Sequence, residues 1–514
     1  MRPTIWVAAV LACLAVGSVR AQLPSSTGGS AGPSRATPLP LSGQNAQSGA
    51  VSVQQTAGDS GVNTTSSSIQ VGGNFSGSIS GEKAAQGPMR LTLADAIRLG
   101  LKTNLGPIAA TDSARAARAE RLQMLSALLP NINVNASDTV SQVNLAAYGF
   151  QFKTPPGFNF SIPSVVGPFN YSSLEGTLSQ TVYDPVLRRN WRVSQESEKA
   201  AILSAKDARE MVVLAVGGTY MQTVASVARV ESQRAQVQNA EAVYRQAVVR
   251  KTAGTNARID VTRTLVEFET QQQRLSSLEA DLRKQKITLA RVIGLPLDRE
   301  LIFGEGLGFN ESAVPSTEEA IERAFHQRAD LEAAGAQVRA AEQALSAARA
   351  ERLPSVSLSG DYGVLGPNPA SMHGVFAITG SVSVPIWQGG RTKADIQQAE
   401  ATLHERQAEL ADQRGRVEQD VRTALIDLET SLGQVRLAQS NRNYANETLS
   451  QARDRFGAGV ATTVEVVQAQ EQVAASESDY ISSLFSFNLA RLALARATGE
   501  AESSFQNQLK GEHP

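Results

Sequence analysis

Two stretches of this chain, RKTAGTNARIDVTRTL at 250–265 and RFGAGVATTVEVVQAQ at 455–470, superimpose at a constant offset of 205. Arg250 falls on Arg455, Gly254 on Gly459, Ile259 on Val464, Asp260 on Glu465 and Val261 on Val466. The register continues past the turn, where Val261, Phe268, Leu275, Leu282 and Leu289 stand opposite Val466, Val473, Tyr480, Phe487 and Leu494 in two heptad rows. Both copies close alike, Leu289-Ala290-Arg291 and Gly294 matching Leu494-Ala495-Arg496 and Gly499. A duplication of about 200 residues restricts the chain to one architecture built from two similar halves.

Each half runs in the same order. In the first, LTLADAIRLGLKTN places Leu93, Ala96, Ile97 and Leu101 on one helical face, and a further helix through ARAARAERLQMLSALL stops at Pro130. Ile132, Val134 and Ala136 then alternate with polar residues, the period of a strand. After a loop rich in Pro, Gly and aromatics (Tyr148 to Tyr171), Leu174, Gly176, Leu178 and Val182 alternate again. The second half repeats this: LPSVSL answers LPNINV, and VPIWQGGRTKADI takes the place of TVYDPVLRRNWRV. The reading is a first repeat at 90–302, with strands near 130–145 and 171–184 and a helical hairpin over 186–294 turning at 253–258. A second repeat at 303–502 has strands near 354–364 and 375–386 and a hairpin over 388–498 turning at 457–461. A C-terminal tail, 503–514, follows.

Lengths limit what such a unit can do. The helix from about Arg391 to Phe456 extends on the order of 100 Å, so it must pair with others along the heptad rows. Each strand segment has roughly ten residues, the length that crosses a bilayer at a tilt, and a closed membrane barrel needs at least about eight of them. One chain offers four, so two copies would supply eight strands and three would supply twelve. A soluble edge sheet capping a coiled coil is the other reading of the same alternation.

Composition narrows the function class. Aromatics are 5% of residues, and the long segments are dominated by Ala, Glu, Gln, Arg and Leu, which suits long helices. The net charge is −1, and without Arg2 and Arg20 it is −3, from 46 Lys+Arg against 49 Asp+Glu, which does not suit a nucleic-acid binder. Met1–Ala21 reads as an export signal, with an apolar run from Ile5 to Val16 shorter than a spanning helix needs. Cys13, the only cysteine, lies inside it after VLA, as a weak candidate for lipidation. Cleavage after Ala21 would leave no thiol. Residues 22–89, a Ser, Gly, Gln, Thr and Pro mixture, read as a flexible extension. The apolar stretch Met211 to Ala228 does not read as a second span, because its counterpart carries Glu418, Asp420 and Arg422. His326, His373, His404 and His513 have no ligand spacing, and FGEGLGF around Gly306 lacks the strand and helix of a phosphate loop, so no enzyme, cofactor or metal site is expected.

LTLADAI, LPNINV with LPSVSL, VPIWQGG, and the twice-occurring Arg-x-x-x-Gly turn followed by Asp260-Val261 or Glu465-Val466 resemble the TolC-like outer membrane efflux proteins over Leu91 to about Gly499. The resemblance implies a mainly α fold with membrane β: a homotrimer with one twelve-stranded outer membrane barrel and a helical tunnel through the periplasm. It implies a passive duct that docks to a periplasmic adaptor and an inner-membrane pump. The family's narrowest point follows each tip turn, which maps to Asp260 and Glu465; Gln468 stands where a second acidic ring often occurs. Phe456 replaces an aromatic hydroxyl and Ala461 a basic residue, so packing of Phe456 around the axis is the expected substitute for a polar latch. Gly254 and Gly459 map to the turns where the adaptor docks. Glu465 also completes a capping box with Thr462, which is a sufficient local role. The competing function is an exported periplasmic coiled-coil adaptor or scaffold without a pore.

Overall fold

The computed structural model describes residues 35–37, 39, 51–57, 65–79, 87–149, 163–254, 257–304, 306–309 and 314–503. The expected leader with Cys13 and nearly all of the C-terminal tail lie outside the described residues.

The first half contains β3 (Met89–Leu91), α1 (Leu93–Thr103), α2 (Leu105–Ser126), β4 (Asn131–Asn144), β5 (Val165–Tyr183), α3 (Pro185–Thr252) and α4 (Arg258–Ile293). A short strand, β6 (Leu301–Phe303), pairs with β3. The second half contains α5 (Thr317–Gln327), α6 (Ala329–Ala350), β7 (Ser355–Gly366), β8 (His373–Ser383), α7 (Arg391–Gly457) and α8 (Thr463–Ala497). Two further strands, β1 (Val51–Ala57) and β2 (Thr65–Val71), precede both. Corresponding helices are equal or within one residue in length: 11 and 11, 22 and 22, 68 and 67, 36 and 35. The same capping chemistry recurs, Thr92 accepting from Asp95 N in α1 and Ser316 from Glu319 N in α5.

The four long strands form one antiparallel sheet in the order β4-β5-β7-β8. Register fixes its two faces. Ile132 pairs with Leu178, Leu178 with Gly360 and Gly360 with Ile378, so even-numbered positions share one side across all four strands. That side carries Ile132, Val134, Leu174, Tyr362, Phe376 and Ile378, all exposed in the single chain, Phe376 and Tyr362 at 74%. The opposite side carries Asn131, Asn133, Thr177, Ser179, Ser359 and the hydrogen-bonded pairs Ser137–Ser173 and Ser357–Ser381. Asp138, which accepts from Ser172 Oγ at 2.7 Å, is the acid on the apolar side. Strand β5 begins at Val165, before the alternation does, because pairing to β4 resumes at Val143 and Asn144 after a register shift.

The long helices lie in the order α4, α3, α8, α7, with α8 between α3 and α7. This separates the two heptad rows. In α8, Val466, Val473, Phe487 and Leu494 are buried; in α4 only Leu289 is, and Val261, Phe268, Leu275 and Leu282 stay half-buried because α4 sits at the edge and packs on α3 alone along most of its length. The apolar window of α3 is 78% buried, with Val212, Val213, Val216 and Tyr220 in the main core against α1 and β6. Apolar residues anchor the Gly-rich connector: Leu307 packs on the core and Phe309 against Phe487 at 5.3 Å.

The expectation of a flexible extension at 22–89 is corrected for its described parts. β1 and β2 pair over seven residues and lie on α3 and α8, with Val51 and Phe75 buried. Low apolar content prevents the segment from making its own core; it does not prevent a few alternating Val and Ile residues from covering one that already exists.

Candidate functional site at the helical tips

The turns are built alike. Helix α3 ends in Gly254 at φ 78° and α7 in Gly459 at φ 77°, each donating its amide three residues back, to Lys251 O at 3.0 Å and Phe456 O at 3.1 Å. A Cβ at either glycine would meet nothing within 4 Å, so the positive φ alone demands glycine there.

After the turns the copies diverge. Thr462 caps α8 by accepting from Glu465 N at 3.4 Å, and the Glu465 carboxylate has Arg455 of its own hairpin at 3.7 Å. Helix α4 has Ala257 at its N-cap, which supplies no side-chain cap. Its Asp260 instead accepts from Thr463 Oγ1 at 2.9 Å, across to the other hairpin, with Arg263 at 3.7 Å. Of the Thr462-Thr463 doublet, one residue thus caps its own helix and the next ties it to α4. A second tie comes from Arg250, which donates to the Phe456 and Gly457 carbonyl oxygens at 2.8 and 3.3 Å. Arg250, Asp260, Thr462 and Thr463 line a cleft between the two turns.

These contacts change the expected roles. Phe456 is 4% exposed, packed among Val243, Leu449, Val466 and Val473 within one chain, so it does not pack around an axis; this corrects the sequence expectation. Its burial was readable from α7 itself, where Val421, Leu428, Val435, Leu449 and Phe456 fall on one heptad row that only Arg442 interrupts. Asp260 and Glu465 remain partly accessible, Asp260 against the other hairpin and Glu465 within its own, and each has a guanidinium at 3.7 Å as a nearby counter-charge. Gln468 is exposed, one turn beyond Glu465 on α8. Sequence reasoning missed Arg250, Arg263 and Thr463 as partners. Arg250 had been aligned with Arg455, but the offset alone gave no sign that one reaches across and the other does not. Among the described residues, no group of three or more His, Cys, Asp or Glu could hold a metal ion.

Away from the tips, the second half holds a buried ionic network where α5 meets α6. Arg328, 4% exposed, binds Asp330 and Asp420 at 2.6 and 2.8 Å, and Gln413 donates to Asp330 at 2.8 Å. The guanidinium holds the Asp330 carboxyl below its ordinary range in spite of burial. In the first half the same joint is made by Asn104, which is fully buried and donates to Phe75 O and Val292 O.

Comparison with known proteins gives a consistent result. The family model described as "Outer membrane efflux protein" matches residues 108–295 and 320–500. The pyoverdine export outer membrane protein OpmQ of Pseudomonas putida is 23% identical over 322 residues, which span 60% of this chain and 67% of that protein. Outer membrane protein OprJ of Pseudomonas aeruginosa is 25% identical over 411 residues, covering 76% and 82%. Among solved structures, the Campylobacter jejuni CmeC outer membrane channel has a TM-score of 0.70 at 17% identity, covering 86% of this chain and 95% of that one. The outer membrane protein VceC of Vibrio cholerae has a TM-score of 0.66 at 20% identity, covering 79% and 96%.

Proposed function

Because the chain belongs to the outer membrane efflux protein family, we propose that it is the passive exit duct of a tripartite efflux pump or a type I secretion system. It works as a homotrimer that docks through its tips to a periplasmic adaptor and an inner-membrane transporter. The coarser statement needs no proposal: members of this family are outer membrane channels and not enzymes.

One observation carries the reading. A four-stranded sheet with an exposed apolar side and a hydroxyl- and amide-rich side continues directly into helices on the order of 100 Å long. A soluble edge sheet would not leave Phe376, Ile378 and Tyr362 more than 70% exposed together. Facing lipid with one side and a water-filled lumen with the other is the arrangement of a membrane barrel. Among the described residues, strands β4 and β8 each keep one unpaired edge, so closure needs other copies, and three give twelve strands. The half-buried row of α4 and the exposed Ile426, Leu437 and Tyr444 of α7 supply apolar flanks for neighbouring copies.

On this reading the repeats span 90–302 and 303–502, Gly254 and Gly459 form the docking tips, and Asp260, Glu465 and Gln468 edge the constriction. The test is single-channel conductance in planar bilayers for wild type and for Asp260→Ala with Glu465→Ala. Small, cation-preferring openings that widen in the double variant support the duct with its constriction at the tips. A folded oligomer without conductance would overturn the pore and favour the scaffold.

A further inference from the structure

Residues 35–37 and 39 lie in a groove between α3, α6 and α7, and the groove is built to read them. Asn190 of α3, 4% exposed, grips the backbone twice: its amide nitrogen donates to Arg35 O at 2.9 Å and its amide oxygen accepts from Thr37 N at 3.2 Å. Glu351, 2% exposed at the end of α6, accepts from Ala36 N at 2.8 Å. Arg35 pairs with Asp395 of α7 at 2.7 Å. Leu39 packs against Val193, Ala340 and Ala344. Two backbone-reading side chains, one charge pair and one apolar seat constitute a peptide-recognition site rather than an incidental contact.

Physical cost points the same way. A buried polar group left without a partner costs about 1–3 kcal/mol, and the docked segment gives the covered Asn190 amide two partners and Glu351 Oε1 one. Alanines at 341, 344 and 348 let a backbone approach α6 closely. In SRATPLPLS, Pro38 and Pro40 restrict the chain before it docks, which lowers the entropy lost on binding.

We propose that this groove is a capture site for the chain's own N-terminal segment, with Arg35 as the residue it selects, and that the docked segment clasps the two halves together. The three gripping residues come from both halves. All sit where helix passes into strand: Asn190 shortly after β5, Glu351 just before β7, Asp395 in the first turns of α7. Docking there fixes the amino end of the chain beside the strand-bearing end of the helices. Since the segment adds no core helix, its seating is a binding step separable from helix packing.

The experiment is hydrogen–deuterium exchange on the full-length protein, reading the amides of Ala36 and Thr37 for wild type, Arg35→Glu, and Arg35→Glu with Asp395→Arg. The expected result is faster exchange in Arg35→Glu by on the order of tenfold or more, with protection regained in the charge-swapped double variant and unchanged protection in α6 and α7 throughout. Excess fluorescein-labelled peptide SRATPLPL is then expected to bind Arg35→Glu saturably and not the wild type, whose groove is filled. Unchanged exchange in Arg35→Glu, failure of the double variant to regain protection, or no peptide binding to the vacated groove would each overturn the capture site.

Discussion

The guanidinium carbon of Arg250 lies 4.1 Å from the centroid of the Phe456 ring, and the same group closes the last carbonyls of α7. The Phe456 carbonyl already accepts from the Gly459 amide of its own turn, and a side chain from the first hairpin adds a further donor to this end of α7. Arg250→Ala removes a cation–π contact and charge-assisted hydrogen bonds, together about 1–3 kcal/mol of tip stability. The expected outcome is faster amide exchange over 455–463 and more frequent opening in bilayers. Arg455→Ala, its repeat counterpart, removes one exposed pair at 3.7 Å and is expected to change exchange little. Equal effects from the two variants would mean that the tie does not hold the tips.

Asp207 of α3 and Arg496 of α8 pair with side chains 8% and 9% exposed. Asp330 and Arg328 also act on Asp207, and Arg496 contacts Met211 as well. Burial, aided by Asp330, outweighs the attraction of Arg496 and holds the Asp207 carboxyl above its ordinary range. An acid raised on folding takes up protons as the chain folds. Its contribution is therefore most favourable below the unfolded value and is lost as pH rises through the folded one. Arg496→Met leaves the carboxylate buried and unpaired and raises it further. The variant is expected to lose about 3–5 kcal/mol at pH 7.5 and less near pH 5, because protonation as pH falls removes the buried charge. Thermal unfolding followed by circular dichroism at the two pH values checks this; an equal loss at both would exclude the titration.

Much of the architecture was legible because a fixed offset, a heptad row and an alternation each report on one periodic element. The α4 and α8 rows looked equivalent, yet α8 is central and α4 is at an edge, since a sequence period shows which face is apolar and not what covers it. The N-terminal segment was misread for the same reason. Val51, Val53, Ile69 and Val71 are too few to form a core, but they are enough to lie on α3. At the tips, Asp260 and Glu465 were found by the offset, whereas Thr463 and Arg250 were not, because each contact joins residues about two hundred positions apart with no period linking them.

Gly218 puts two opposing magnitudes in competition. Replacing a helix-interior glycine by alanine ordinarily gains about 1 kcal/mol. Here a Cβ would stand 2.3 Å from Ile69 Cδ1 and 3.3 Å from Leu489 Cδ1, because β2 seats its isoleucine on the bare backbone. Overpacking costs about 1–3 kcal/mol, so Gly218→Ala is expected to destabilise, and Ile69→Ala in the same chain to relieve the clash. Chemical unfolding of the two variants measures the sign. Stabilisation by Gly218→Ala alone would show that the β1–β2 hairpin is not held against α3 at this point.

Glu175 and Asp361 share the polar side of the sheet on adjacent strands, Glu175 opposite Gly363 and Asp361 opposite Thr177. Gly363 makes room for the Glu175 stem, since a Cβ there would lie 2.7 Å from Glu175 Cγ. None of the four long strands contains Lys or Arg. Three copies would therefore place six carboxylates in the barrel lumen without a fixed counter-charge, whereas Asp260 and Glu465 each have a guanidinium nearby. Cation preference should then reside mainly in the barrel, and opening at the tips. Glu175→Gln with Asp361→Asn is expected to lower the cation-to-anion permeability ratio with little change in open probability. Asp260→Ala with Glu465→Ala is expected to do the reverse. The barrel effect should be larger at 0.1 M salt, where charges act over about 10 Å, than at 1 M, where they act over about 3 Å. Reversal potentials under a salt gradient measure the ratio, and a ratio unchanged by the barrel substitutions would place the selectivity elsewhere.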